Sequence, residues 1–175
     1  STFIDKEFEE KKKIFHDYNS YEKFFQNEGV IINQNKIKKI IEKEFEKILT
    51  KKNLRTEDND KLIEEVVNLT DKPYVLECSF DKKFLSIPKE ILILTMQSHQ
   101  KYFPLFTKKN EITNEFLVVA NNKDQKGLIK TGNERVIEAR LSDAEFFWNK
   151  DKSQNLVKKV SELKSMNFFK GLGSY

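Results

Sequence analysis

Residues 95–106 read TMQSHQKYFPLF, a histidine, two glutamines and a lysine set among three aromatic rings and one proline. Side chains of these types, here His99, Gln100, Lys101 and Tyr102 in succession, can hold phosphate oxygens or stack an unpaired base. A structural task suits them as well and is the favoured reading. His99 and Gln100 would satisfy backbone groups where a helix meets a strand, and Tyr102, Phe103 and Phe106 would belong to the core. A second stretch, ANNKDQKGLIKTGNER at 120–135, is polar, contains Gly127 and Gly132, and carries Lys123, Lys126 and Lys130 up to an expected helix start. Lysines beside the free amides of a helix N-terminus favour phosphate. Asn121 and Asn133 can add neutral donors, and Arg135 can reach out from the same surface. The competing reading is a solvated loop whose GNER only caps the helix.

Other chemistry finds little support. The chain has one cysteine, Cys78, and two histidines, His16 and His99, so an internal disulfide is excluded and no zinc-like ligand spacing exists. Cys78 lies in YVLECSF, an apolar run that makes it a small core residue rather than a reactive thiol. There is no G-x-S-x-G elbow, no phosphate-binding P-loop and no H-E-x-x-H, and the closing GLGSY carries no nucleotide-binding weight. No catalytic residue and no metal ligand is therefore assigned.

Charge bounds the partners only loosely. Thirty-two basic against 28 acidic residues leave a net charge of +4, and 34% of the chain is charged, as expected of a solvated surface. The excess is local: between residues 101 and 130 there are six lysines and three acids. The apolar runs ILIL and FLVVA fall far short of the roughly 20 residues that cross a membrane. The opening STFIDKEFEEKKK is too charged for a secretory signal, so a cytoplasmic protein without a membrane is expected.

The elements that must position these residues follow from periodicity. Ile37, Ile40, Ile41, Phe45, Ile48 and Leu49 recur at three- and four-residue steps and predict an amphipathic helix capped by Asn33 or Asn35. The first 30 residues are expected to be helical, ending at Gly29 before a short strand VII. A second helix should carry Leu62, Val66 and Leu69 on one stripe, capped by Thr56 or Asp58. After Pro73 the pattern changes to YVLECSF, a helix from about Pro88 to Gln97, then KYFPLFT, a turn and EFLVVAN. This predicts a small antiparallel sheet with helices on one side. A long helix begins after Gly132 with Asn133 as a possible cap. On it Arg135, Glu138, Ser142, Glu145 and Asn149 form the polar stripe, while Arg140 falls between Val136 and Phe147 with Asp143 beside it. An Arg140–Asp143 ion pair partly enclosed by apolar side chains is expected. A final helix is read over SQNLVKKVSELKSM, and the end of the chain reads as a boundary inside a longer protein.

FLSIPKEILILTMQSHQKYFPLF, FLVVANNK, GNERVIEARLSDAEFFWNKD and LGSY, in that order and spacing, resemble the β subunit of bacterial glycyl-tRNA synthetase of the tetrameric type. The resemblance is strong over residues 70–175, while the first 70 fit in length and helical character alone. It implies residues 1–70 as a mainly helical variable part and 71–175 as the α+β core of the same domain. The chain corresponds to an internal piece, without the HD-type and anticodon-binding regions of such subunits. The implied fold is α+β: a small, mainly antiparallel sheet packed with helices, with a helical N-terminal part, similar to the editing-type module of the phenylalanyl-tRNA synthetase β subunit. That similarity is one of fold and transfers no editing activity.

The implied function is a share in glycine–tRNA ligation: binding tRNA(Gly), holding the α2β2 enzyme together, or both. An editing or deacylase module and a pure assembly module remain the alternatives. The implied partners are tRNA(Gly), the α subunit and the other domains of the β subunit. ATP and Mg are expected on the α subunit, and no cofactor is expected in this stretch.

Overall fold

The computed structural model describes residues 14–57 and 59–153, together with the backbone of two short paired strands, β5 (Asn167–Phe169) and β6 (Gly173–Ser174). The helix expected over SQNLVKKVSELKSM lies outside the described residues.

Helix α1 (Tyr18–Asn27) starts where the Asp17 carboxylate accepts the Ser20 N–H at 2.7 Å. Past Gly29, which takes φ 80°, residues 30–33 form no strand. A backbone bond from the Ile31 N–H to the Asp71 carbonyl holds them, so the expected VII strand is replaced by a linker. Helix α2 (Gln34–Lys52) follows. The Asn33 side chain accepts the Lys36 N–H, and Asn53 ends the helix in the left-handed conformation at φ 54°. Its buried residues, Ile37, Ile41 and Phe45, form one face.

Helix α3 (Asp60–Asn68) takes its cap from Asn59, which accepts the Leu62 N–H at 3.0 Å. The expected caps are displaced. Thr56 belongs to the two-residue strand β1 (Arg55–Thr56), where its hydroxyl donates to the Pro104 carbonyl, and Asp58 lies outside the described residues. Leu62 and Val66 are buried as expected, but Leu69 is 68% exposed because the helix ends one residue earlier, and Val67 takes its place in the core.

The sheet has four strands in the order β1-β3-β4-β2, every neighbour antiparallel. Strand β2 (Tyr74–Ser79) runs along β4 (Ile112–Ala120) from Tyr74 opposite Ala120 to Ser79 opposite Glu115. On the other side β3 (Phe103–Phe106) sets Phe103 opposite Leu117, with a register shift between Pro104 and Phe106. Alternation along β4 sends Phe116 and Val118 to one face and Leu117 and Val119 to the other. Both faces are therefore covered, which corrects the expectation of helices on one side. Helices α2 and α3 pack on the Leu117 face. The Phe116 face is covered by a 3-10 turn (Lys82–Ser86), by α4 (Lys89–Leu94) with the π-helical turn that continues it (Thr95–His99), and by α5 (Leu128–Ser153). The architecture is α+β, built on this four-stranded antiparallel sheet.

Candidate nucleic-acid interface

The TMQSHQ stretch is the π-helical turn and the corner after it. Three residues separate the wider turn from β3. Lys101 takes φ 58°, and the Tyr102 N–H donates back to the Met96 carbonyl at 3.0 Å. The corner is fastened to α3: Asn59 Nδ2 donates to Gln97 Oε1 at 3.3 Å, and Lys101 Nζ forms an ion pair with Glu65. His99 is exposed, Gln100 half-buried, and Tyr102, Phe103 and Phe106 are buried. The Tyr102 ring stacks on Phe116 at 5.0 Å, and its hydroxyl donates to Asn133 Oδ1 at 2.6 Å.

The polar stretch after β4 is shorter than the sequence suggests. Helix α5 begins at Leu128, so Gly132 and Asn133 lie inside it rather than at its start. The cap is Asp124: its carboxylate accepts the Ile129 N–H at 3.2 Å and the Lys130 N–H at 2.8 Å. A carboxylate thus sits on the first amides and the positive helix end, where a phosphate was expected. Asn133 serves structure. Besides receiving the Tyr102 hydroxyl it donates to the Ile129 carbonyl at 2.7 Å. Asn121 is spent likewise: its carbonyl oxygen accepts from the Asp71 and Lys72 N–H groups and its amide donates to the Leu69 carbonyl, pinning the start of the loop to the turn before β2.

Four cations of the predicted set remain on this side of the sheet. Lys123, Lys126, Lys130 and Arg135 are all exposed. Lys130 Nζ lies 3.9 Å from Glu134, whose carboxylate also accepts the Ser79 N–H at 2.9 Å. Among the described residues Lys123, Lys126 and Arg135 have no ion-pair partner. Lys101 does not join them, because its ammonium turns to α3 on the opposite face of the sheet. The structure divides the candidates into a structural corner and a loop and helix start whose cations are exposed, Lys130 near Glu134 and the other three without an ion-pair partner among the described residues. The parts that sequence reasoning missed are Asp124 as the helix cap and Glu65 as the partner of Lys101. Asp124 could have been found as an acid four residues before Leu128, had that residue been read as the helix start.

No acid–base group emerges from the core beneath. Burial pushes the Cys78 thiol up to about 12, reinforced by Glu134 and opposed by Lys130, and burial beside Cys78 pushes Tyr102 up to about 12. Neither group titrates near neutral pH. Among the described residues no group of three or more His, Cys, Asp or Glu side chains could hold a metal ion, and no helix is long and apolar enough to cross a membrane.

The expected enclosed pair on α5 is not formed. Arg140 and Asp143 are both exposed and no ion pair joins them. The reason is the helix orientation: Ile137 and Leu141 are its buried residues, and the stripe of Val136, Arg140 and Phe147 faces outward. Asp143→Ala is accordingly expected to change the unfolding free energy by no more than about 0.5 kcal/mol. A urea melt checks this, and a loss of several kcal/mol would restore the enclosed pair.

Comparison with known proteins bears on what this surface serves. A family described as "Glycyl-tRNA synthetase beta subunit" matches residues 2–175. The glycine–tRNA ligase beta subunit of Listeria monocytogenes serotype 4b (strain CLIP80459) is 37% identical over 146 residues, covering 83% of this chain and 21% of the relative. That of Acidovorax ebreus (strain TPSY) is 43% identical over 122 residues, covering 69% of this chain and 17% of the relative. That of Polaromonas naphthalenivorans (strain CJ2) is 42% identical over 118 residues, covering 67% and 17%. The chain spans about a fifth of the length of the curated relatives it matches.

Proposed function

The chain belongs to the glycyl-tRNA synthetase beta subunit family, and we propose that it serves that subunit as a non-catalytic module contacting tRNA(Gly). In this reading Lys123, Lys126 and Lys130, with Arg135 beside them, meet phosphates of the tRNA. Attachment of glycine, with ATP and magnesium, takes place on the α subunit of an α2β2 enzyme in the cytoplasm. The observation that carries the reading is a set of exposed cations, Lys123 and Lys126 on a loop tied at both ends and Lys130 and Arg135 on the first turns of α5. Asn121 holds one end to the turn before β2, and Asp124 fixes the other to α5. A loop already ordered loses little further conformational freedom on binding, so its charges act with less entropic opposition. Each phosphate they neutralise releases condensed counterions.

The test is a titration of labelled tRNA(Gly) at several salt concentrations, against the chain and its Lys123→Ala/Lys126→Ala/Lys130→Ala variant. Three lost phosphate contacts are expected to flatten the slope of log K against log salt by roughly 2 to 3. The melting temperature should stay unchanged because all three side chains are exposed. An identical slope in the variant, or no binding at low salt, overturns the reading.

A further inference from the structure

Helix α5 has 26 residues, so it is about 39 Å long, yet its buried residues are Ile137 and Leu141 alone. From Val136 onward it carries an apolar surface that nothing in the described fold covers. Val136 is 42% exposed, Phe146 61% and Phe147 58%, the two phenylalanine rings meeting edge to face at 5.5 Å. Val136, Arg140, Asp143 and Phe147 follow one another at four-, three- and four-residue steps, a single stripe turned about 110° from the buried one. The helix is thus apolar on a second side, with an unpaired cation and an unpaired carboxylate between the apolar groups.

We propose that this stripe is the seat of another element of the same β-subunit polypeptide, lying outside the span of this chain. That element would present apolar side chains flanked by a carboxylate for Arg140 and a cation for Asp143. Three considerations select this occupant. Arg140 and Asp143 cancel within the stripe, and α5 as a whole has five basic and five acidic residues, so it offers phosphate no net attraction and the partner is protein and not RNA. Four side chains on one helix face cover far less than the roughly 800 Å² that each partner contributes to a free-standing complex. A small seat suffices where the partner is tethered, because a covalent connection supplies an effective concentration of about millimolar. The curated relatives supply that tether: four fifths of their length lies outside the region matched here.

The proposal is independent of tRNA, and so is its test. Amide hydrogen exchange of the Asp143–Lys152 segment is measured in this chain and in the full β-subunit polypeptide, each alone and at several concentrations. Exchange is expected to be about tenfold or more slower in the full subunit, since docking closes the local opening of the helix. Phe147→Ser, and separately Arg140→Glu, should restore fast exchange in the full subunit while leaving the melting temperature of this chain unchanged. Equal exchange in the two polypeptides overturns the proposal. So does protection that appears only on adding the α subunit or tRNA, or protection in this chain that grows with its concentration, the mark of a second copy.

Discussion

Phe116→Ala is expected to lower the unfolding free energy by about 3–5 kcal/mol. Phe116 is fully buried in the middle of β4, opposite Cys78 on β2 and Pro104 on β3. Its ring lies between Tyr102, at 5.0 Å and 26°, and Phe80, at 6.3 Å and 30°. Truncation removes both stacking partners at once and leaves a cavity that the strands, fixed in register on either side, cannot close. Tyr102 would also lose the support that holds its hydroxyl against Asn133. With domains of this size losing about 2–4 °C of melting temperature per kcal/mol, the drop should be roughly 6–20 °C. Chemical unfolding followed by two probes measures it. A loss below about 1 kcal/mol would mean that this face of the sheet is not packed as described.

Leu141→Ala should cost about 2–5 kcal/mol by a different route. The polar fastenings of α5, Asp124 to its first amides, Glu134 to Ser79 and Asn133 to Tyr102, all lie before Val136. Beyond them Ile137 and Leu141 are the buried anchors, so loss of Leu141 releases the second half of the helix while its start stays attached. Helical signal and amide protection should fall most after Ser142. The salt-dependent RNA affinity proposed for the surface of Lys123, Lys126 and Lys130 should be unaffected, because this surface is tied down upstream. Far-ultraviolet circular dichroism and hydrogen exchange report the first effect, and a binding titration the second. Uniform loosening of the sheet together with α5 would contradict this division.

The legible parts of the sequence were those where one local rule suffices. The stripe of Ile37, Ile41 and Phe45 and the Asn33 cap fix α2 without reference to any other element. The alternation of EFLVVAN carries both core faces of β4, yet it was read as one-sided, because the sequence of a strand does not say which helices will arrive on its second face. The start of α5 is read after Gly132 instead of at Leu128 for a related reason. Gly132 and Asn133 look like a helix boundary locally, but the Tyr102 hydroxyl and the Asp124 carboxylate, both distant from them in local pattern, make Leu128 the better start. Arg140 and Asp143 were assigned to an enclosed pair from helical geometry alone. Helical geometry places residues on a common stripe but does not say which stripe meets the sheet. Of the proposed site, the lysines were visible as a local charge excess. The division between them and Lys101 was not, because it depends on which face of the sheet each side chain leaves from.

The carboxylate of Asp124 on the first amides of α5 has a bearing on selectivity. A helix N-terminus that takes a phosphate directly fixes the oxygens by direction as well as by charge. With that position taken, the lysine ammonium groups on flexible four-carbon stems act as mobile point charges without preferred geometry, and of the proposed set Arg135 alone can grip a phosphate with direction. Such a surface hastens the capture of any polyanion and is blind to nucleotide order. Under the proposed tRNA contact, this module sets how quickly candidates are presented, and discrimination between one tRNA and another is exercised elsewhere.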